Sequence, residues 1–276
     1  MNTSLKALSP AKLNLFLHIT GRRADGYHEL QTLFQLLDWG DDMHFSINNS
    51  GQVTLDCPDL GIPEQDNLIV KAAQLIQGRG QGAHISVHKR IPAGGGLGGG
   101  SSNAATTLLA LNALWGCEHS REDLAELGSR LGADVPVFAL GHSAWAEGIG
   151  ERLSPITLPE RWFFVLFPGC EVATGKIFSH GELTRDSAAI KLAAFFEGGT
   201  RNDCENVVRK LYPEVDNALK WLDNFGDAKL TGTGASVFAS FATRAEAEAV
   251  LAALPENWEG IVAKGVNHSP TLNALP

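Results

Sequence analysis

The sequence predicts an α+β fold divided into two domains. Segments with strand-like alternation come first along the chain, and helix-like and strand-like segments are mixed after them. The apolar run 162–167 follows Pro155 and Pro159 and is typical of a new buried strand. We therefore expect one domain over residues 1–155 and a second over residues 156–276. With 276 residues, 44% of them hydrophobic, the chain can bury a substantial core.

Alternation predicts the first strand. In residues 12–19 the odd positions are Leu or Ile, and the even positions begin with Lys12 and Asn14. This period of two is typical of a strand buried on one face, so Lys12 and Asn14 are expected to point the same way. Lys12 then either extends to solvent or faces an acceptor. Further strands are predicted at 30–37, 43–47, 52–56 and 83–91, with a helix at 67–77.

Helices are predicted at 103–115 and 121–131, the first with Ser101 or Ser102 as its N-cap. Asp134 stands at the start of a short helix, because Pro136 is tolerated in a first helical turn. For the carboxylate of Asp134, helix capping is the structural alternative to a catalytic role. The second domain is predicted to contain helices at 187–196, 202–210, 215–225 and 244–253, and strands at 162–167, 228–231, 236–241 and 260–264.

Composition narrows the class of function. The net charge of −9 shows no basic excess, so nucleic acid is not an expected partner, and an anionic ligand must be met by local donors. The four cysteines form no C-x-x-C pair, which indicates neither a zinc site nor disulfides. The N-terminus is unlike a signal peptide and no apolar run reaches membrane length, so we expect a cytoplasmic protein that does not insert into membranes.

A glycine-rich loop carries the strongest chemical signal. Six of the seven residues 94–100 are glycine, and the loop leads directly into a predicted helix. Backbone N–H groups can crowd a phosphate there, and the first helical turn adds its free donors and its dipole. A flexible linker is the alternative, but a linker rarely joins a patterned strand to a capped helix. The glycines are Gly94, Gly95, Gly96, Gly98, Gly99 and Gly100.

Two better-known phosphate loops fit less well. The segment satisfies G-x-G-x-x-G, but a dinucleotide-binding unit needs a strand after the helix, and here a second helix follows. A Walker A loop would need a glycine at Cys170 and Ser or Thr at Ile177. A later glycine pair, Gly232 and Gly234, lies between two short strands and either brings more amides to the ligand or forms an ordinary hairpin turn.

Taken together, these segments resemble the GHMP kinases. Residues 92–102, PAGGGLGGGSS, match the P-x-G-x-G-L-x-x-S-S loop of that family, and further matches run from PAKLNLFL at Pro10 to AKGVNHSP at Ala263. The resemblance implies an N-terminal domain of the ribosomal-protein-S5 domain 2 type and a ferredoxin-like C-terminal domain. It also implies a kinase that uses ATP and Mg²⁺ to phosphorylate an alcohol. The alternatives are a family member acting on homoserine, a mevalonate derivative or a sugar, and an inactive nucleotide-binding regulator.

The resemblance also implies roles for individual residues. Asp134 would accept or orient the proton of the substrate hydroxyl, and Lys12 would steady the developing alkoxide. The segments that match the family most closely imply that the small-molecule substrate is a cytidine diphosphate-linked methylerythritol. The protein is expected to be a monomer or a homodimer. Metal ligands stay unassigned, with the hydroxyls of the loop serines as candidates. The implied ATP contacts are Pro92, Ala93, the six loop glycines, Leu97, Ser101, Ser102, Gly232 and Gly234, and the implied substrate contacts are Asn14, Tyr27, His28, Thr174 and Phe178.

Overall fold

A computed structural model describes residues 3–57 and 61–276. It confirms the α+β class, with helices packed on a long hydrogen-bonded sheet. The strands are β1 (Ser4–Arg22), β2 (His28–Asn48), β3 (Val53–Asp56), β4 (Gly82–His88), β5 (Ala144–Gly148), β6 (Arg152–Pro155), β7 (Trp162–Phe167), β8 (Lys229–Leu230), β9 (Val237–Phe241) and β10 (Glu259–Val266). The helices are α1 (Leu68–Ile76), α2 (Gly99–Trp115), α3 (Arg121–Ser129), α4 (Val135–Leu140), α5 (Thr174–Ser179), α6 (Leu192–Glu197), α7 (Glu205–Leu211), α8 (Pro213–Leu222) and α9 (Arg244–Ala252), with 3₁₀ turns at Glu64–Asp66 and Pro270–Ala274.

The sheet runs in the order β3-β4-β2-β10-β7-β9-β8, and β1 and β5 also pair with β2. Strand β10 joins the two halves of the chain, because it pairs antiparallel with β7 along its length and with β2 at its end. One core lies between β2, β4 and helices α1 to α4. A second core lies between β7, β9 and helices α7 to α9. Each core therefore draws most of its residues from one predicted domain.

The prediction that β1 is buried on one face only is wrong. Leu13 on one face and Phe16 on the other are both almost completely buried. Distant segments cover Phe16, whose ring centroid lies 5.2 Å from that of Trp145 and 5.8 Å from that of Phe195. The expected common direction of Lys12 and Asn14 is confirmed by a hydrogen bond of 2.5 Å between their side chains.

The start of α2 also differs from the prediction. The helix begins at Gly99, and Gly98 is the N-cap, so neither Ser101 nor Ser102 caps it. Gly98 has a φ of 74°, a left-handed conformation that glycine adopts without strain. The helix can therefore start inside the glycine run, two or three residues before the serines.

Several elements differ from the prediction in their bounds. The strands predicted at 30–37 and 43–47 are one continuous strand, β2, and the helix predicted at 187–196 is shortened to Leu192–Glu197. Strands β5 and β6 and helix α5 were not predicted. As expected, all four cysteines are free thiols, and burial raises the pKa of Cys204 to about 12. Across the described residues, no helix is long and apolar enough to cross a membrane.

Candidate active site

Lys12 lies on β1 and is 3% exposed, so its ammonium group is directed into the protein. It donates hydrogen bonds to Asn14 Oδ1 at 2.5 Å and to the carbonyl oxygen of Gly96 at 3.0 Å. The same nitrogen lies 3.4 Å from Asp134 Oδ2. The alternative in which Lys12 extends to solvent is therefore excluded, and the lysine connects the strand, the glycine loop and a carboxylate.

Asp134 occupies the residue before α4, as the sequence predicts, but its side chain makes no capping hydrogen bond. Its side chain remains 33% exposed. A carboxylate that caps a helix would be tied to the backbone N–H groups of the first turn. Because this one is not, the capping alternative fails, and one oxygen faces Lys12 while the carboxylate stays accessible to a ligand.

The glycine loop alternates between ordinary and left-handed backbone. Gly94, Gly96 and Gly98 have φ values of 64°, 73° and 74°. A Cβ added to Gly98 would lie 2.9 Å from the ring of Phe138 and 3.2 Å from Lys12 Cε. Both the backbone angle and the close packing therefore require glycine at this position. Residues 92–101 line one cleft of about 340 Å³ at the N-terminus of α2, which we call the loop cleft.

Ser102 does not belong to the loop cleft. Its side chain is fully buried, and its hydroxyl lies 2.8 Å from the hydroxyl of Ser9. Ser101 lines the loop cleft and is left as the serine whose hydroxyl can reach a ligand. Within the described parts of the chain, no cluster of three or more His, Cys, Asp or Glu side chains could hold a metal ion.

A second lysine at the loop cleft was not identified from the sequence. Lys89 follows β4, and its ammonium group donates to Asp41 Oδ2 at 2.5 Å and to Asn103 Oδ1 at 3.0 Å. Asp41 is fully buried and also accepts hydrogen bonds from the backbone N–H groups of Arg90 and Ile91. This buried network holds the segment that enters the loop against the first turns of α2.

The turn that contains Gly232 and Gly234 is hydrogen-bonded to the glycine loop through main-chain atoms. The N–H groups of Ala235 and Ser236 donate to the carbonyl oxygens of Gly94 and Gly95, both at 3.1 Å. The turn also connects the antiparallel strands β8 and β9, so it is a hairpin connection as well.

Gly232 and Gly234 lie on different sides of this turn. Gly232 lines a cavity together with Lys12 and Asp134. At Gly234 an added Cβ would approach Leu230 and Val172 in the second core. Of the two, only Gly232 is placed beside a ligand-sized space.

Aromatic residues frame a second cleft of about 600 Å³, which we call the aromatic cleft. Tyr27, His28, Thr174 and Phe178 line it. The rings of His28 and Phe178 are stacked, with centroids 5.2 Å apart and planes inclined by 25°. Tyr27 is 61% exposed, so its ring is available to a ligand. Burial lowers the pKa of His28, and the positive charges of Arg185 and Arg22 lower it further.

A third cavity, which we call the junction cavity, joins the two clefts. It is lined by Lys12, Asn14 and Asp134 together with Gly96 from the loop cleft and Phe178 from the aromatic cleft. The Lys12 and Asp134 pair therefore stands between a site suited to phosphates and a site suited to a flat ring. An arrangement of this kind can hold a phosphoryl donor on one side and a hydroxyl acceptor on the other.

Comparison with known proteins agrees with this geometry. Residues 67–142 match the family described as GHMP kinases N terminal domain, and residues 183–260 match GHMP kinases C terminal. The chain is 55% identical to 4-diphosphocytidyl-2-C-methyl-D-erythritol kinase of Marinobacter nauticus, over 98% of this chain and 97% of that protein. It is 56% identical to the enzyme of the same name from Pseudomonas paraeruginosa, over 98% and 96%.

Solved structures show the same relationship. A crystal structure of 4-(cytidine 5'-diphospho)-2C-methyl-D-erythritol kinase superimposes with a TM-score of 0.82 at 32% identity, covering 95% of this chain and all of that one. Homoserine kinase from Cytophaga hutchinsonii superimposes with a TM-score of 0.66 at 17% identity, covering 98% and 97%. The second similarity concerns the fold alone.

Proposed function

The chain belongs to the GHMP kinase family, and we propose that it transfers the γ-phosphoryl group of ATP to the 2-hydroxyl of 4-diphosphocytidyl-2-C-methyl-D-erythritol. The products are the 2-phosphate and ADP, and the reaction belongs to the non-mevalonate route to isoprenoid precursors. The observation that carries the proposal is the Lys12 and Asp134 pair, 3.4 Å apart, at the junction of the loop cleft and the aromatic cleft. Identity above 50% over nearly the whole chain supports the same substrate.

ATP is assigned to the loop cleft. Its phosphates would lie against the backbone N–H groups of residues 94–100 and the N-terminus of α2, which has 17 residues and a correspondingly developed dipole. Lys12 adds a positive charge at the end of the loop nearest the acceptor. Most of the work of phosphoryl transfer is positioning and charge neutralisation, which these groups can supply.

The acceptor hydroxyl is assigned to the cavity beside Asp134. The carboxylate would accept the proton of the hydroxyl or orient it toward the γ-phosphate. Lys12 would steady the negative charge on the attacking oxygen. Asn14 accepts a hydrogen bond from Lys12 through Oδ1 and donates one through Nδ2 to Thr32 Oγ1 at 3.0 Å. These two bonds fix the side-chain amide of Asn14 beside the Lys12 ammonium group.

Mg²⁺ fits this site as an ion held mainly by phosphates and water. The described residues offer Asp134 and the hydroxyl of Ser101 near the loop but no cluster of carboxylates, which agrees with the preference of Mg²⁺ for few protein ligands. When bound, the ion would neutralise charge on the β- and γ-phosphates. Ser102 is not a candidate, because its hydroxyl bonds to Ser9.

The cytidine is assigned to the aromatic cleft. Tyr27 and Phe178 offer ring faces to a base, and His28 offers a polar edge. Thr174 Oγ1 lies 2.9 Å from Thr233 Oγ1, which places hydroxyl groups between this cleft and the junction cavity.

Three further expectations remain parts of the proposal. They are a cytoplasmic location, a monomeric or homodimeric state and a domain boundary at residue 155.

The experiment that tests this function measures ATP- and Mg²⁺-dependent ADP release with 4-diphosphocytidyl-2-C-methyl-D-erythritol. Homoserine, mevalonate and galactose are assayed in parallel, and phosphorus NMR identifies the product. Turnover of the cytidine compound alone is the expected result. Turnover of another alcohol alone would retain the kinase mechanism and overturn the substrate, whereas no turnover at all would favour a nucleotide-binding regulator.

A further inference from the structure

Arg185 lies in the segment between α5 and α6 and is fixed by four hydrogen bonds. Its Nε donates to His28 Nε2 at 3.1 Å. Its Nη1 donates to the carbonyl oxygen of Leu183 at 3.1 Å, and its Nη2 donates to the carbonyl oxygens of Phe178 and His180 at 2.9 and 2.8 Å. One guanidinium group therefore holds both members of the stacked ring pair in the aromatic cleft.

The contact with His28 determines where the imidazole carries its proton. Arginine has only donors and stays protonated in proteins, so the ring nitrogen facing it must offer a lone pair. A ring with a lone pair on Nε2 is neutral and carries its hydrogen on Nδ1. Within residues 3–57 and 61–276, Nδ1 of His28 has no hydrogen-bond partner, and His28 lines the cleft. The Nδ1–H group is therefore left for a ligand.

We propose that Arg185 is a positioning residue that holds His28 in the Nδ1–H form, so that the aromatic cleft presents a donor and selects cytosine over uracil. The inference rests on the proposed function, since it specifies how the cytidine part of that substrate is distinguished. Cytosine carries a lone pair on N3, which can accept from Nδ1–H. Uracil carries a hydrogen on N3, so two donors would meet and neither would be satisfied.

The charges around the ring support the same assignment. Burial, Arg185 and Arg22 each lower the pKa of His28, so the ring stays neutral at physiological pH. A protonated ring would lose the bond from Arg185, because neither nitrogen could accept. Arg185 also donates to the main-chain carbonyl oxygen of Phe178, which fixes the backbone that carries the ring stacked on the imidazole.

The first test measures the tautomer in the free protein. The full chain is labelled with ¹⁵N-histidine, and the His28 signals are identified among the nine histidines by their loss in His28→Phe. In the wild type we expect a protonated Nδ1 and an unprotonated Nε2. In Arg185→Met we expect the Nε2–H form to appear and the pKa of His28 to rise. A wild-type ring protonated on Nε2, or a tautomer unchanged in Arg185→Met, would overturn the proposal.

The second test measures base selection, with kcat and KM determined for the cytidine substrate and its uridine analogue. Arg185→Met is expected to lower kcat/KM for the cytidine compound by about 10- to 100-fold, mainly through KM, and to narrow its advantage over the uridine compound. Arg22→Met is the matched control: it removes a cation from the same cleft but no side-chain hydrogen bond to the His28 ring, so the tautomer and the cytidine-to-uridine ratio should persist. An unchanged ratio in Arg185→Met would overturn the proposal.

The two tests separate this inference from the proposed function. If neither nucleotide compound is a substrate, the proposed function fails and the selection of cytosine fails with it, whatever the tautomer. If the cytidine compound is turned over but His28 carries its proton on Nε2, the proposed function stands and the role of Arg185 is wrong.

Discussion

The ammonium group of Lys12 lies 3.0 Å from the carbonyl oxygen of Gly96, at the point where the glycine loop approaches β1. The same group is 3.4 Å from Asp134. Lys12 thus sets the distance between the loop that is proposed to hold the phosphates and the carboxylate that is proposed to face the acceptor. Lys12, Asp134 and the glycine loop form one unit, although they come from three distant parts of the chain.

We expect Asp134→Asn to lower kcat by about 10²- to 10⁴-fold, because an amide cannot accept the hydroxyl proton. Affinity for ATP in the absence of Mg²⁺ should change little, since Asp134 lies at the junction cavity and not in the loop cleft. Steady-state ADP release and calorimetric titration with a non-hydrolysable ATP analogue measure the two effects. Turnover close to that of the wild type would remove Asp134 from the mechanism.

Gly98→Ala should weaken nucleotide binding strongly. The new methyl group would sit at a φ of 74° and 2.9 Å from the Phe138 ring, so the loop would have to move. Gly226→Ala is the control, because Gly226 lies outside the glycine loop and a Cβ there meets only Ala239 at 3.5 Å and Phe241 at 3.6 Å, which are ordinary contacts. Titration of both variants with ATP tests the pair. Equal affinity in the two would show that the loop conformation at Gly98 is not needed for binding.

Asp41→Ala should destabilise the fold by about 3 kcal/mol, because it leaves the Lys89 ammonium group and two backbone N–H groups without their buried acceptor. Asp42→Ala is the control: Asp42 is exposed and pairs with Arg90 at the surface, so less than about 1 kcal/mol should be lost. Urea unfolding followed by circular dichroism measures both. Similar midpoints for the two variants would contradict the structural role of Asp41.

His18 should make the protein less stable in mild acid. Its ring is buried and, within the described residues, neither ring nitrogen has a hydrogen-bond partner. Burial lowers the pKa of His18 despite the nearby Asp203 carboxylate. The unfolded chain therefore takes up the proton first, and stability falls as the pH drops below about 6.5, the ordinary pKa of histidine.

His18→Leu tests this directly. The variant should lose less stability than the wild type between about pH 7 and pH 5, as measured by thermal unfolding at a series of pH values. Burial also lowers the pKa values of His28 and His142. Both histidines are present in the wild type and in His18→Leu, so the difference between the stability curves of the two proteins is due to His18. Parallel curves would show that His18 does not titrate differently in the folded and unfolded states.

Local patterns were sufficient for much of the secondary structure. The predicted strand 162–167 coincides with β7, since an apolar run of this length is typical of a buried strand. Helices α1 and α3 begin within a residue of the prediction, because Asn67 and Ser120 supply side-chain caps. The start of α2 was missed because the left-handed backbone of Gly98, and not a serine side chain, defines it.

Part of the candidate site was also visible in the sequence. The glycine loop was identified from its composition, and Lys12 and Asp134 were identified through the resemblance to the GHMP kinases. Asp41, Lys89 and Arg185 were not identified, since a single charged residue carries no spacing or periodicity to mark it. The contacts that define their roles are distant in sequence: Asp41 and Lys89 are 48 residues apart, and Arg185 and His28 are 157 residues apart.

The sequence by itself determined the α+β class, the glycine-rich loop and the family, because these depend on local conformational preferences and on motifs of contiguous residues. The tertiary structure decided that both faces of β1 are buried, that Lys12 faces Gly96 and Asp134, and that Arg185 donates a hydrogen bond to His28. Each of these depends on the approach of segments distant in sequence. The directions of side chains across such contacts are determined by packing and hydrogen bonding in the folded chain, which local patterns do not encode.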